Sequence, residues 1–486
     1  MLGTLRHGLL KTGALALILG LPFTGGCATG PETFVAPPGA PAPAGYTRVD
    51  AQTPSRVVMQ AGARSKAWWT AFGSPDLSEA IRIALEGSPD LERARAVLDR
   101  HLAEADAEEA LLKPHVGLNA RAERQLFNSK GFGFSGFPSR TFSIFSLGGV
   151  ISYDLDLFGS GRGRAAEAGA RAEKARWEAD AAALSLSANV ALEAVRIAGL
   201  NAQIDAAQKV IEDDRKLVDL AHRAEALGGL SRSGKVQIEA QLARDEAQIP
   251  ELLRQKEQAR RRLALLAGRP SSEWTAPDFH LEDLALPAAI PLALPSELLR
   301  TRPDIKAAEA DLHAAQIAAK VARIDPLPKL RLTGNRAQTA NQLEDLSRSD
   351  SRGWSLSAGL TASLYDGGLA RANQRVAEAR LRDSEFRYRQ VVLAALAQVG
   401  DLLSSLKEGE GEIAAYQRAV DSAQQDADIT VAGVRLGGTP LLRALDARRQ
   451  LSLARRSLAV AEARRLSDMI GLFAAAGADW RSAVDD

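Results

Sequence analysis

The chain holds one cysteine in 486 residues, Cys27, so no disulfide can form within it. It also lacks an excess of either charge: 61 lysines and arginines stand against 60 aspartates and glutamates, a net of +1. With no basic surplus to neutralise phosphates, nucleic acid is excluded as a partner. Aromatic residues make up only 5%, which suits long alanine-rich helices with close-packed seams better than a thick globular core. No continuous apolar run of 18 residues follows the first two dozen, so no membrane-spanning helix is expected. The six histidines (His7, His101, His115, His222, His280, His313) are scattered without metal-ligand spacing. No serine, cysteine or acid pair has a partner at catalytic spacing. These residues point to no enzyme, cofactor or metal site.

What the chain does contain is a seven-residue rhythm. Val190, Ile197, Ile204, Ile211 and Val218 recur at that interval, as a left-handed helical supercoil requires to keep one seam on its neighbour. The row returns 209 positions later as Val399, Leu406, Ile413, Val420 and Ala427. Other pairs repeat at similar offsets. Arg302-Pro303-Asp304-Ile305 echoes Ser88-Pro89-Asp90-Leu91 at 214, and Leu364-Tyr365 echoes Leu157-Phe158 at 207. Gln450-Leu451, Leu472 and Gly477 echo Gln241-Leu242, Leu263 and Gly268 at 209. The chain is therefore a duplication.

In order, Arg6 and Lys11 precede the apolar stretch Ala14–Leu21 and small residues up to Gly26, the pattern of a signal peptide over residues 1–26. Residues 27–66 read as a tether, Pro/Gly/Ala-rich from Pro31 to Gly45. The first repeat spans 67–268. Asp76 caps a short helix, and Ser88-Pro89-Asp90 opens a second that runs to about Leu112. Past Pro114 the period falls to two, giving strands at about 115–127 and 142–157, then a long helix (about 161–227) and a return helix (about 232–267) in which Pro250 places a kink. A Pro-rich linker covers 269–295. The second repeat, 296–477, has strands at about 329–338 and 353–365, a long helix at about 368–435 and a return helix at about 440–474. A tail, 478–486, follows.

The strands are apolar on one face and small or polar on the other. Trp354, Leu356, Ala358, Leu360, Ala362 and Leu364 alternate with Ser355, Ser357, Gly359, Thr361 and Ser363. A serine-rich second face is best matched by water, and the apolar face by lipid. Four such strands cannot close a barrel, and open edges in lipid are prohibitively costly, so several chains must pool their strands. Two, three or four chains give eight, twelve or sixteen strands, and the residues alone do not choose. Gly159, Gly161 and Gly163, between strand and helix, resemble a phosphate loop. The preceding strand is amphipathic and the following helix far too long for a βαβ unit, which favours a tight turn.

Four segments carry a wider resemblance: Ala67-Trp68-Trp69-Thr70-Ala71-Phe72-Gly73, Tyr153-Asp154-Leu155-Asp156-Leu157-Phe158-Gly159, Arg302-Pro303-Asp304-Ile305 with Ala308-Glu309, and Leu445-Asp446-Ala447 with Gln450-Leu451. With them the chain resembles the TolC-like outer-membrane factors, particularly the lipoprotein branch of resistance–nodulation–division efflux systems. The resemblance implies an α+β membrane protein: a homotrimer whose twelve-stranded barrel continues as an α-helical coiled-coil tunnel, with an equatorial belt from linker and termini. It implies a passive outer-membrane exit duct of a tripartite efflux pump, joined through a periplasmic adaptor to an inner-membrane resistance–nodulation–division transporter. Cys27 resembles the lipid-attachment cysteine of bacterial lipoproteins, although Thr24 stands where leucine is usual. The tips that dock the adaptor correspond to Gly228, Gly229, Leu230 and Ser231, and to Gly437, Gly438, Thr439 and Pro440. Asp446, with Arg443 one turn before it, falls where the family places its periplasmic gate. Val434 stands where a tyrosine is common, and Gly234 and Lys235 where the first repeat often has an aspartate. The alternatives are the duct of a type I protein-secretion system and a structural envelope coiled coil.

Overall fold

The computed structural model describes residues 57–59, 67–128, 131, 133, 136, 138–287, 290–292 and 295–477. The signal peptide, Cys27, most of the tether and the tail therefore lie outside the described residues.

The first repeat begins with a capped helix. Ser74 accepts a hydrogen bond from the Leu77 amide (3.3 Å) and Pro75 occupies the first turn, which starts α1 (Pro75–Gly87). α2 (Pro89–Ala110) follows, and its counterpart α7 (Pro303–Ile324) comes after the short helix α6 (Pro295–Thr301). The hairpins are β2 (His115–Phe127) with β3 (Arg140–Leu155), and β5 (Lys329–Ala340) with β6 (Arg352–Thr361). They join into one antiparallel sheet in the order β2-β3-β5-β6. A second, parallel pair unites β1 (Val57–Met59) with β4 (Ile290–Leu292), bringing the segment before the first repeat onto the linker.

The sheet register sorts the side chains. Val116 lies opposite Ile151, Ile151 opposite Gly334, and Gly334 opposite Leu356, all on one face. The other face carries Ser152, Thr333 and Ser357 in a row. Val116, Leu118, Trp354 and Leu356 are each more than three-quarters exposed, so the apolar face has no cover among the described residues. β2 and β6 leave their outer backbone edges unpaired in this sheet.

Two helices of 67 residues, α3 (Ser160–Ala226) and α8 (Leu369–Arg435), leave the sheet, each about 100 Å long at 1.5 Å per residue. Both start the same way. Asp156 accepts from the amides of Gly161 (3.1 Å) and Arg162 (2.8 Å), and Asp366 from those of Gly368 and Ala370 (2.8 Å each). A carboxylate on free amides at a helix start is favourable electrostatically. It also fills the place a phosphate would take, so the glycines at 159–163 serve a strand-to-helix turn.

α3 is wrapped by α2, α7, its own return helices and α9 (Leu441–Ala475). Val190, Ile197, Ile204 and Ile211 are buried in it, and its most apolar 18-residue window, long enough to cross a membrane, is 61% buried inside the molecule. That stretch is core. The first return helix breaks into α4 (Arg232–Glu246) and α5 (Gln248–Leu266). Glu246 is the residue four before Pro250, whose ring meets that carbonyl and which offers no amide to it.

The main core ties the start of the first repeat to the long and return helices. Trp68 is fully buried, stacks on Phe473 (5.7 Å between centroids) and donates to Ser187 Oγ (3.3 Å). Arg302 donates to Asp304, Gln398 and the Ala475 carbonyl, fastening the start of α7 to α8 and to the end of α9. At the end of α5, Gly268 has φ +68° and its absent Cβ would lie 1.9 Å from the Gly87 carbonyl oxygen. Gly268→Ala therefore forces α1 and α5 apart and strains the backbone. A loss of about 2–4 kcal/mol is expected, read as a lower denaturant midpoint. An unchanged midpoint would contradict this packing.

Candidate functional site: the paired helical tips

The ends of the two long helices are built alike. Gly228 and Gly437, each at φ +74°, follow a terminal leucine. The Gly229 amide donates back to Ala224 (2.8 Å) and the Gly438 amide to Gly433 (3.0 Å), which closes each helix in a six-to-one turn. Only glycine takes this left-handed position without strain. The next helix then starts immediately, through Ser231 Oγ accepting from the Gly234 amide (3.2 Å) in the first tip and through Pro440 in the second. Leu227 and Leu436 are each 87% exposed, a matched pair of apolar side chains at the tips.

Just behind the tips, Leu217, Ala221, Ile238, Leu441, Ala444 and Leu445 form a small core, with Leu230, Val431 and Val434 packed against it. It draws on both hairpins and locks them side by side. Val434 contributes methyl groups there, where a tyrosine would bring a hydroxyl.

The ion pairs differ between the tips. In the first, Lys235 meets Glu225 at 2.6 Å, and this pairing draws the Glu225 carboxyl below its usual range. In the second, Arg443 donates to both oxygens of Asp426 (3.0 Å each) and reaches Asp446 at 3.3 Å. All three side chains are exposed. Arg443 and Asp446 thus come together, and the sequence reading missed Asp426, the stronger partner. A carboxylate eleven residues before Gly437 carries no mark of its own; only the antiparallel register of α8 on α9 brings it to Arg443. The first tip's Gly228–Ser231 and the second tip's Gly437–Pro440 do not take part in these ion pairs; they shape the turns.

Further along the long helices from the tips is a buried aspartate with an acidic neighbour. Asp214 on α3, 2% exposed, faces Asp245 on α4. Burial, then a hydrogen bond and charge repulsion from Asp245, push the Asp214 carboxyl up to about 7, against the pull of Arg448 on α9. Asp245 accepts from Gln241 (2.7 Å) and Gln248 (2.9 Å), and Arg448 pairs with Asp213 at 2.5 Å. Asp214 Oδ2 has no hydrogen-bond partner, and a protonated carboxyl there avoids an uncompensated buried charge. Asp245 interrupts the apolar row of the return helix, a visible signal; Asp214 gave none.

This pair sets a pH dependence. Unfolded, Asp214 releases its proton near pH 4; folded, it keeps it to about pH 7. Stability from this group is therefore greatest at low pH and falls as pH rises from about 4 to about 7. Asp278 does not offset it there. Burial opposes its ionisation, but the Asn201 amide and the Lys256 ammonium hold its carboxyl low, so its contribution is lost only in stronger acid. Asp214→Asn should be about 1–3 kcal/mol more stable than the wild type at pH 8 and close to it at pH 4, by chemical denaturation at both values. Parallel curves for the two proteins would contradict the shared proton.

The sequence pattern of the outer membrane efflux protein family matches residues 80–269 and 294–478. The pyoverdine export outer membrane protein OpmQ of Pseudomonas aeruginosa is 30% identical over 438 residues, 88% of this chain and 92% of its own. The outer-membrane channel OprN superposes with a TM-score of 0.83 at 26% identity, covering 92% of this chain and 100% of that one. The open state of the Neisseria gonorrhoeae MtrE outer membrane channel gives 0.80 at 25%, covering 93% and 99%. Both repeats, their sheet and their helices are thus shared with outer-membrane channels. The chain belongs to the outer membrane efflux protein family, and it is the outer-membrane channel component of an efflux pump.

Proposed function

We propose that three copies of the chain assemble into a passive exit duct, fed by an inner-membrane transporter of the resistance–nodulation–division type through a periplasmic adaptor. The observation that carries this is the four-stranded sheet with one exposed apolar face, one serine- and threonine-bearing face and two unpaired edges. Three such sheets make twelve strands, enough for a water-lined barrel. The helices also leave a surface for another copy. α8 packs chiefly on α7 and α9, and leaves Leu369, Val376, Phe386 and Leu393 exposed. These fall in pairs seven residues apart, a seam prepared for a helix of the next copy.

In this reading the pump selects the cargo and the duct passes it on. Relatives named for pyoverdine export and for nodulation mark the breadth of cargo that this architecture serves. The twin turns, Gly228–Ser231 and Gly437–Pro440, with Leu227 and Leu436 at their ends, form the docking surface for the adaptor. Arg443 closes the mouth by holding Asp426 and Asp446, and release of this clasp widens it. Cys27 carries the lipid that anchors the mature chain to the outer membrane.

Purified protein in planar bilayers should give single channels, and Arg443→Ala should raise their conductance several-fold. Intact mass of the same preparation should show an acylated Cys27 as the first residue. In a deletion strain, export should return with the wild-type gene and fall at least tenfold when Leu227 and Leu436 are both replaced by Glu, with the adaptor lost from pulldowns. Absence of channels would overturn the duct. Unchanged Arg443→Ala conductance would retire the clasp, and full export by the double variant would remove the tips as the docking surface.

A further inference from the structure

We propose that the loop-side part of the sheet's apolar face, around Arg336, Arg352 and Trp354, binds a phosphorylated glycolipid of the outer leaflet. This rests on the strands spanning the outer membrane with their hairpin loops outward. The register places Val116, Leu118, Ala120, Ala122, Leu147, Ile151, Tyr153, Leu330, Leu332, Leu356 and Leu360 on the lipid face. The same face carries Arg124, Arg336 and Arg352, each beyond the apolar rows on the loop side of its strand, and no aspartate or glutamate. The charge is one-signed and confined to one end.

Two arginines of the opposite face behave differently. Arg331 is held by both oxygens of Asp154 (2.5 and 2.7 Å), and Arg121 by Glu123 (2.5 Å). These water-facing cations are neutralised within the chain. Arg336 and Arg352 are exposed and have no carboxylate partner among the described residues. Cations at the edge of a lipid band without a protein counter-ion must find an anion in the membrane.

The geometry suits a phosphate. Arg336 lies opposite Trp354, and Arg352 opposite Gln338. The two arginines are thus diagonal neighbours on one face, about 7–8 Å apart at the backbone. Two planar guanidinium forks at that spacing grip one phosphate from two sides. Trp354, 81% exposed, offers a flat ring for a sugar face and an indole N–H at the depth of the headgroups. Gln338 adds an amide for a sugar hydroxyl. Arginine pair, amide and indole together fit a phosphorylated sugar headgroup better than a plain phosphodiester.

Purified wild-type protein and the variant Arg336→Gln/Arg352→Gln would be incubated in detergent with lipid A, with dephosphorylated lipid A, or with phosphatidylglycerol, and retained lipid counted by native mass spectrometry. The wild type should retain lipid A at least tenfold more than either other lipid. The glutamine variant should lose that preference, and Arg336→Lys/Arg352→Lys should keep part of it. Equal retention of lipid A with and without phosphate, or an undiminished preference in the glutamine variant, would overturn the proposal. Phosphatidylglycerol retained as well as lipid A would overturn the glycolipid assignment. Channel conductance in phosphatidylcholine bilayers, measured on the same samples, should be equal in wild type and variants. It separates this outcome from failure of the duct itself.

Discussion

The unpaired edges of β2 and β6 are the constraint on which the rest of the molecule depends. A backbone amide or carbonyl left open in lipid costs several kcal/mol, and each edge presents a row of them. One chain of this family cannot remove the penalty, because its sheet has four strands and closure needs at least eight. Completing the hydrogen bonds is therefore an intermolecular event. The apolar face, bare in the single chain, meets lipid only once that event has occurred. Folding, assembly and insertion are linked by the same missing partners.

The helices meet this demand unequally. α3 is surrounded by its own chain and buries Val190, Ile197, Ile204 and Ile211 of its heptad row, so it acts as the internal post of each subunit. α8 has the same length but keeps apolar residues exposed along its flank. A duplicated sequence has thus become two different staves: one holds the subunit together and one keeps a bare apolar flank. Below them, the break between α4 and α5 and the proton held by Asp214 and Asp245 occupy the same level of the wall. The tip clasp of Arg443 lies beyond it.

Periodicity made the architecture legible before any coordinates. A seven-residue row spells a supercoiled helix, and a two-residue alternation spells a strand with two environments, so sheet, long helices and duplication are written locally. Pro250 marked the place where the return helix breaks, since a missing amide is a property of one residue. Pairings between helices were not legible. Asp426 with Arg443 and Asp214 with Asp245 depend on how one helix is rotated and staggered against another, and no single stretch records that. The difference between α3 and α8 was hidden for the same reason: their heptads look alike, and only packing shows that one row is covered and the other flank is left open.

The account stands or falls on closure of the sheet between subunits. In a Cys27→Ser background, one cysteine at Asn119 on β2 would be combined in turn with cysteines at Gly353, Ser355 and Ser357 on β6, and oxidised protein run on non-reducing gels. One register should yield a covalent trimer as the largest product, with no crosslink from either single cysteine alone. Monomers in every combination, or a ladder extending past three subunits, would contradict a closed ring of three.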